Sequence, residues 1–272
     1  MTKPIIPILS DLPAPPDYQL HSKEDYSFTE IWKLIGTKMF HNKILGYKGN
    51  FNLDLENSVQ SAVTLNDQLN RVKEYILSNN FNLMQPKATW QFFKTKIVDE
   101  NLLIVEKSSN EVLQSFIFPR QNKGKKLCLI DYLNPKADSI AFYACTSGNK
   151  VSELANIWID EGRYQDSFIL QGLALATAEA LAEFVHKEIR SSWGFPDRFN
   201  ITLEEIMLAK YRGCRYSFGY PACPNLEDQK KLWQLLRPER IKMELTEGYM
   251  MDPEASVSAL VFHHPEAKYF SV

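Results

Sequence analysis

The segment 211–224, YRGCRYSFGYPACP, concentrates residue types that recognise a charged and flat ligand. Its arginines offer planar guanidinium forks that match a carboxylate in a bidentate way. Its tyrosine rings can meet a cation or a flat base, while glycine and proline make the backbone turn sharply and stay stiff. Arg215 and Tyr220 therefore favour a site for a small zwitterion that carries a flat base. A rigid structural corner is the alternative.

Three polar residues of a predicted helix share one face, because Glu179, Glu183 and His186 are spaced four and three apart. The Glu183-x-x-His186 spacing is that of the ligand pair in di-iron bundles. Such a site needs a second pair and two further glutamates, and this chain has one pair. We therefore expect no metal here, and a metalloenzyme that uses Glu183 and His186 is a competing hypothesis. The alternatives are a polar or ion-paired helix face, or Glu179 alone pointing into a ligand cleft.

Other residues that could do chemistry lack partners at useful spacing. His263-His264 before a proline could bind a metal or transfer protons, but their isolation favours a structural turn. Reduced, buried thiols are favoured over a zinc site for the four cysteines, which form no C-x-x-C pair: Cys128, Cys145, Cys214 and Cys223. The fingerprints of dinucleotide-binding folds, P-loops and α/β-hydrolases are absent from the sequence.

Bulk properties limit the function further. The chain has 272 residues, 44% of them hydrophobic, and a formal net charge of −2. Because positive and negative side chains nearly balance, the protein is unlike one that binds nucleic acid by neutralising its phosphates, and we expect no nucleic-acid partner. We find no apolar run approaching the roughly 20 residues of a membrane span, and the proline-broken start is unlike a signal peptide. The expected location is the cytoplasm, without a membrane partner.

Helical periodicity is clearest in residues 166–192, where Leu173, Ala176, Ala180 and Phe184 recur at spacings of three and four. Trp193-Gly-Phe-Pro196 ends this helix, and Asn200 or Thr202 caps the next one. Further helices are predicted at 28–42, 55–79, 151–160, 202–210 and 225–236. The predicted core positions of the first two are Ile31, Leu34 and Ile35, and Val59, Val63, Leu69, Val72 and Ile76.

Alternating or β-branched runs predict strands at 89–93, 102–106, 115–118, 139–145 and 256–262. A polar turn at 98–101 joins the first two, and 122–126 is a solvated loop. Residues 1–24 are proline-rich and predict an extended arm or linker outside the core. Strands and helices come in runs without regular alternation, which favours an α+β fold over a parallel doubly wound sheet.

Several separated motifs are similar to one known family. Arg-x-x-x-Gly-Tyr-Pro-x-x-Pro at 215–224 resembles the signature of the activation domain of cobalamin-dependent methionine synthase. Further stretches resemble that family in the same order along the chain: 118–121, 178–186 with Arg190, 245–247, 255–258 and 264–270. The resemblance covers about residues 24–272.

This resemblance implies a single C-shaped α+β domain over 25–272, with a twisted antiparallel sheet flanked by helices, and an arm at 1–24. It implies S-adenosylmethionine in a shallow groove and a role in the reductive remethylation of cob(II)alamin. The implied partners are the cobalamin-binding domain of methionine synthase and a flavodoxin-type electron donor. The chain lacks the Asp-x-His-x-x-Gly motif of cobalamin-binding domains, so the corrin is expected on a partner. A free-standing protein that acts in trans and an excised domain both remain open, and neither is expected to make methionine alone.

The resemblance also assigns residues to the groove, namely Glu179, Arg215, Ser217, Tyr220, Tyr269 and Phe270. In this assignment Arg215 grips the ligand carboxylate, Glu179 faces a positive charge, and the backbone near Ser217 forms hydrogen bonds. The chemistry is one of positioning, so no catalytic acid or base is expected.

Two positions depart from the family pattern. Phe270 stands at one of two neighbouring aromatic positions, one of which is often tyrosine in relatives, and Gly36 stands where some relatives carry an aspartate that contacts the ligand. Glu30 or Asp25 are candidates to replace that aspartate. The departures support a rival hypothesis, in which the protein has lost S-adenosylmethionine binding and only docks with a cobalamin or flavodoxin partner.

Overall fold

The computed structural model describes residues 6–78 and 83–272. Within these ranges the strands are β1 His21–Lys23, β2 Lys87–Val98, β3 Asn101–Val105, β4 Val112–Ile117, β5 Asp138–Thr146, β6 Cys214–Tyr216, β7 Glu244–Leu245, β8 Met251–Asp252 and β9 Ser256–Phe262. The main sheet has the order β4-β3-β2-β5-β9-β6, and β1 pairs with β2. Each strand pair, including the separate β7-β8 ribbon, is antiparallel, which confirms the predicted α+β class.

The α-helices are α1 Phe28–Trp32, α2 Phe51–Glu56, α3 Gln60–Ser78, α4 Val151–Asp160, α5 Tyr164–Ser192, α6 Leu203–Met207 and α7 Gln229–Leu236. A π-helix spans Lys38–Ile44, and short 3-10 helices span Leu129–Tyr132, Leu226–Asp228 and Pro238–Ile241. The predicted helices at 151–160, 166–192 and 225–236 are confirmed within one or two residues, the last with a 3-10 first turn.

The central strands β5 and β9 are buried along their whole length, because both faces of the sheet are covered. Side chains alternate across a strand, so Tyr143 and Cys145 join a core on the face of α5. Phe142 and Ala144 join a second core on the face of α7. A ligand site on this sheet can therefore form only where an edge or a strand end is left open.

Helix α5 is the main support of the first core. By length and composition alone it is long and apolar enough to cross a membrane, which the sequence analysis does not anticipate. In the structure, 72% of its most apolar 18-residue window is buried by the rest of the protein. Its apolar character is therefore that of a core helix packed on both the sheet and its neighbouring helices.

Two predicted helices are broken. The predicted helix at 28–42 is not continuous, so this prediction was wrong. Helix α1 ends at Trp32, and the π-helix begins at Lys38 after a connection that contains Gly36. The prediction at 55–79 spans the end of α2 and all of α3, and residue 79 lies outside the described residues. Val59, predicted to be core, is 41% exposed because it lies in the break between α2 and α3.

Local sequence patterns correctly predict the turn between β2 and β3 and the start of α6. Asp99 and Glu100 both have positive φ in the two-residue turn between β2 and β3, as a tight hairpin turn requires. Thr202 forms a capping box with Glu205 at α6. This helix ends earlier than predicted, since Ala209 has a φ of 51°.

The proline-rich arm lies against the domain. None of the side chains at 6–24 is fully buried, but the arm ends in β1, which adds a strand to the sheet. The indole nitrogen of Trp193 donates to the carbonyl of Pro13 at 3.0 Å, and Nε2 of His264 donates to the carbonyl of Pro7 at 2.9 Å.

Candidate functional site

Arg215 lies in the middle of β6, the edge strand beside β9. Its Nη1 donates to the hydroxyl of Tyr143 at 3.0 Å, and its Nη2 is 3.8 Å from Oε2 of Glu179. Burial opposes the charge, but Tyr143, Glu183 and Glu179 hold the pKa of Arg215 well above its ordinary value. Among the described residues Nη2 donates no hydrogen bond. The guanidinium is therefore charged, oriented by the protein and open to a ligand oxygen.

Two glutamates of α5 stand one helical turn apart in different surroundings. The side chain of Glu179 is 61% exposed, whereas that of Glu183 is 6% exposed. Burial raises the pKa of Glu183, although the charges of Arg215 and Arg190 oppose the shift. Glu179 thus matches the alternative of a carboxylate facing a cleft, and Glu183 matches the alternative of an ion-paired helix face.

Glu183 belongs to a buried polar network. The guanidinium of Arg190 is fully buried and lies 3.4 Å from Oε1 of Glu183 and 2.6 Å from Oδ2 of Asp197. It also stacks over the ring of Tyr211 at 3.7 Å, while the Tyr211 hydroxyl donates to Oε2 of Glu183 at 3.1 Å. This network ties the segment after α6 to α5 and so fixes the approach to β6.

The Glu183-His186 pair is not assembled as a metal centre. His186 is fully buried, its ring packs edge-on against Tyr211, and burial lowers its pKa well below the usual value. In ranges 6–78 and 83–272, neither ring nitrogen has a hydrogen-bond partner. The same ranges contain no group of three or more His, Cys, Asp or Glu side chains that could hold a metal ion.

The loop after β6 is stiffened by its own hydrogen bonds. The amide of Gly219 donates to the carbonyl of Cys223 at 3.0 Å, and the amide of Cys223 donates to the carbonyl of Tyr220 at 3.0 Å. The Cys223 thiol donates to the carbonyl of Ser217 at 2.9 Å. Gly219 has a φ of 88°, a conformation that glycine adopts without strain. These hydrogen bonds fix the loop in a conformation that leaves the Tyr220 ring exposed to solvent.

The C-terminal segment forms the facing wall. The hydroxyl of Tyr216 donates to the carbonyl of Lys268 at 2.8 Å, and the Tyr216 ring contacts those of Tyr269 and Phe270, with centroids 5.7 and 6.4 Å apart. Gln121 donates to the carbonyl of Ser271 at 2.6 Å. These contacts hold two aromatic side chains opposite the loop after β6.

Loop, strand, helix and C-terminal segment enclose one cavity of about 530 Å³, which is within the size range of small-molecule sites. The residues that line this cavity include all six predicted groove residues. The full lining is Glu179, Arg215, Tyr216, Ser217, Tyr220, Pro221, Ala222, Val257, Tyr269, Phe270 and Ser271. A neighbouring cavity of about 620 Å³ shares Glu179, Arg215, Tyr220, Val257 and Tyr269 with it. The two cavities form a continuous cleft, with the charged side chains of Glu179 and Arg215 in the shared wall.

The remaining candidates are structural. His263 is fully buried, and its Nε2 donates to Oδ1 of Asp138 at 2.7 Å. His264 holds the arm, as described above, so both histidines match the alternative of a structural turn. All four cysteines are buried and unpaired, as the sequence favours.

The chain matches one protein family over residues 25–272, and that family is described as "Vitamin B12 dependent methionine synthase, activation domain". The chain belongs to this family. A solved structure of the MetH reactivation domain bound to AdoHcy has a TM-score of 0.87 and 25% identity, covering 99% of this chain and 90% of that chain.

Two curated relatives of this activation domain are named methionine synthase. The protein from Mycobacterium tuberculosis strain H37Rv is 37% identical over 185 residues, which are 63% of this chain and 16% of the relative. The protein from Mycobacterium leprae strain TN is 31% identical over 201 residues, 68% of this chain and 17% of the relative. The chain thus spans about a sixth of the length of these relatives.

Gly36, where the resemblance implies that some relatives carry an aspartate, lines the 620 Å³ cavity and contributes no side chain to it. Neither proposed replacement lies in this cleft: Glu30 pairs with Lys33 at 2.6 Å, and Asp25 lines a separate cavity. Besides Glu179 and Glu183, a third carboxylate lines the same cavity, namely that of Glu254. Sequence reasoning missed it, because it precedes β9 outside any motif and reaches this cavity only through the tertiary fold.

Proposed function

We propose that this activation domain binds S-adenosylmethionine and supports the reductive remethylation of cob(II)alamin in cobalamin-dependent methionine synthase. The observation that carries the proposal is that the six residues assigned by the family resemblance line one cavity of about 530 Å³. Those residues come from α5, β6, the loop after it and the C-terminal segment, so nothing local in the sequence brings them together.

The free Nη2 of Arg215 suits a carboxylate oxygen, because a guanidinium donates to carboxylates with matching geometry. Glu179 lies 3.8 Å from the same nitrogen, so the ammonium on the ligand's α-carbon would fall beside an exposed carboxylate. The exposed rings of Tyr220 and Tyr269 offer faces to the adenine. The cleft therefore complements both ends of the ligand.

The role of the protein in this proposal is to hold and orient the ligand. When bound, S-adenosylmethionine supplies a methyl group that, with one electron from a donor, converts a partner's cob(II)alamin to methylcobalamin and leaves S-adenosylhomocysteine. The side chains of the cleft act by position and charge, which lowers the entropic cost of bringing two reactants into line. No acid or base among them is required.

The proposed partners follow from the family. They are the cobalamin-binding domain of methionine synthase, reached in trans or as part of a longer chain, and a flavodoxin-type electron donor, with the cytoplasm as the site of action. The chain spans about a sixth of its curated relatives, so it is not expected to make methionine alone. The solved relative that binds AdoHcy supports the choice of ligand.

Isothermal titration calorimetry with S-adenosylmethionine and S-adenosylhomocysteine tests the proposal. We expect saturable binding of both ligands by the wild type, and at least tenfold weaker binding by Arg215→Ala. Absence of heat for both ligands up to millimolar concentration would overturn the proposal.

That negative result is the one expected from the rival function, a docking protein that has lost the ligand. The observation in its favour is Gly36, which leaves its part of the cleft without the family carboxylate. Retained binding to a cobalamin-carrying domain, in the absence of any ligand heat, would then identify the docking function.

A further inference from the structure

Two arginines near the end of α7 differ from the other arginines of the chain. The sequence has nine arginines, and seven of them form an ion pair or a hydrogen bond within the described residues. In the same residues the guanidinium groups of Arg237 and Arg240 form neither, and both arginines line one cavity of about 310 Å³. Two positive charges without a counter-charge in one cavity are the arrangement expected of an anion site.

The backbone at both arginines is fixed by hydrogen bonds. Arg237 directly follows α7, and its amide donates to the carbonyl of Trp233 at 2.8 Å. The 3-10 helix Pro238–Ile241 begins at the next residue, and the amide of Arg240 donates to the carbonyl of Arg237 at 3.3 Å. Both side chains therefore start from ordered backbone, which lowers the entropy lost when they hold a ligand.

Arg237 has a backbone conformation that side chains disfavour. Its φ is 49° and its ψ is 61°, in the left-handed region. Glycine is the usual residue at this position after a helix, because it has no Cβ to clash. Residues held in such sparsely populated regions are concentrated at functional sites. An arginine in place of glycine favours a binding role for this side chain over a purely structural one.

The rest of the cavity lining carries no charge. Its other polar residues are Gln91, Gln114 and Gln234. Nε2 of Gln114 donates to Oε1 of Gln234 at 2.5 Å, while Nε2 of Gln234 donates no hydrogen bond within the part of the chain that the structure describes. Glu239, which lies between the two arginines in sequence, lines a neighbouring cavity instead. No carboxylate in this lining therefore competes with an anion.

These donors match a phosphate better than a carboxylate. A carboxylate has two oxygens and one charge, which a single guanidinium satisfies in a bidentate pair. A phosphate monoester has three terminal oxygens and a charge of about −1.5 to −2 at pH 7, so it can accept from both guanidinium groups and from Gln234. The remaining lining is apolar and can contact the organic part of the ester, namely Leu20, Phe93, Leu113 and Leu235.

We propose that Arg237, Arg240 and Gln234 form a second binding site, which takes a small phosphate monoester. This site shares no lining residue with the cleft of Arg215 and Glu179. The inference therefore goes beyond the proposed function and does not depend on it. A cavity of about 310 Å³ is at the lower end of the range of small-molecule sites, which suits a compound of about the size of phenyl phosphate.

Calorimetric titration with phenyl phosphate tests the proposal. We expect saturable binding by the wild type with a Kd on the order of 1 mM or lower, and at least about fivefold weaker binding by Arg237→Gly and by Arg240→Gln. Benzoate keeps the ring but carries one negative charge, so it is expected to bind the wild type at least about fivefold more weakly than phenyl phosphate.

Lys242→Gly is the matched control for Arg237→Gly. Lys242 is exposed and also left-handed, with a φ of 63°, and it lines neither this cavity nor the cleft. Its replacement by glycine removes the same charge from the same kind of backbone, and we expect it to bind phenyl phosphate as the wild type does. Equal losses in the two glycine variants, or no binding by the wild type, would overturn the proposal.

Thermal unfolding separates ligand binding from a role of Arg237 at the helix end. Glycine accepts the left-handed conformation, so Arg237→Gly should unfold close to the wild-type temperature. Early unfolding with unchanged binding would assign Arg237 to the helix end and overturn the proposal. If Arg237→Gly unfolds early and also loses binding, Arg240→Gln decides, and unchanged binding there would overturn the proposal. Binding of a hexaglutamate peptide but not of phenyl phosphate would also overturn it, and would identify a surface for an acidic protein.

Discussion

Arg215 on β6 donates a hydrogen bond of 3.0 Å from its guanidinium to the hydroxyl of the fully buried Tyr143 on β5, two strands away in the sheet. This contact occupies Nη1 and leaves Nη2 directed toward Glu179, 3.8 Å away. The arginine fork is therefore oriented before a ligand arrives. Preorganisation of this kind improves affinity because less side-chain entropy is lost on binding.

Replacing Arg215 by lysine tests the fork itself. Lysine keeps the positive charge but lacks the planar pair of donors, so we expect affinity for S-adenosylmethionine to fall at least tenfold in calorimetry. Tyr143→Phe removes only the hydroxyl that orients the guanidinium, and we expect it to lower the affinity about three- to tenfold. Equal binding by Arg215→Lys and the wild type would contradict the role given to the fork.

We expect a carboxylate introduced at position 36 to strengthen binding. A Cβ at Gly36 would lie 3.2 Å from the flexible sulfur of Met207, so a side chain fits after a small shift. A charge-assisted hydrogen bond contributes about 1.5–3 kcal/mol, and we expect Gly36→Asp to bind S-adenosylmethionine about tenfold more tightly. Gly36→Asn is the neutral control, and an equal gain in both variants would argue against a charge effect.

The Arg190 network should matter for stability. Arg190→Met leaves the buried carboxylates of Glu183 and Asp197 without their shared cation, and breaking such a pair typically costs about 3–5 kcal/mol. Urea unfolding measures the loss. Arg71→Met is the matched control, because its ion pair with Asp166 is long, at 3.9 Å, and the Arg71 side chain is exposed. This control is expected to lose less than about 1 kcal/mol, and similar losses in both variants would contradict the account.

His186 should make the fold sensitive to mild acid. Burial lowers its pKa well below the ordinary 6.5, so below about pH 6.5 the unfolded chain takes up a proton that the folded protein refuses. Its contribution to stability is complete above that pH and is lost as the pH falls, by about 1.4 kcal/mol per pH unit. In urea unfolding between pH 7 and 5, His186→Leu should lose less stability than the wild type. An identical pH dependence in both would contradict this.

Much of the fold was predictable because its strongest local signals are its core. The buried strands β5 and β9, the hairpin turn at Asp99 and Glu100, and α5 all follow from side-chain periodicity and turn chemistry. The break in the helix predicted at 28–42 does not follow from such signals. Ile31, Leu34 and Ile35 have the same apolar spacing in a continuous helix as in a short helix followed by a turn. Short strands such as β6 were also not predicted, because their pairing is set by the tertiary fold.

The cleft was predictable only in part. Family resemblance named the six residues, and the structure brings them to one cavity, but spacing alone could not pair Arg215 with Tyr143 on a strand 72 residues away. Contacts made across a sheet leave no periodic trace in the sequence.

A crystal structure of the protein with S-adenosylmethionine is the most direct test of the central claim. We expect the ligand carboxylate within hydrogen-bonding distance of Nη2 of Arg215, with the adenine against Tyr220 or Tyr269. A cavity that stays empty at saturating ligand, or a ligand bound with its carboxylate away from Arg215, would contradict the account.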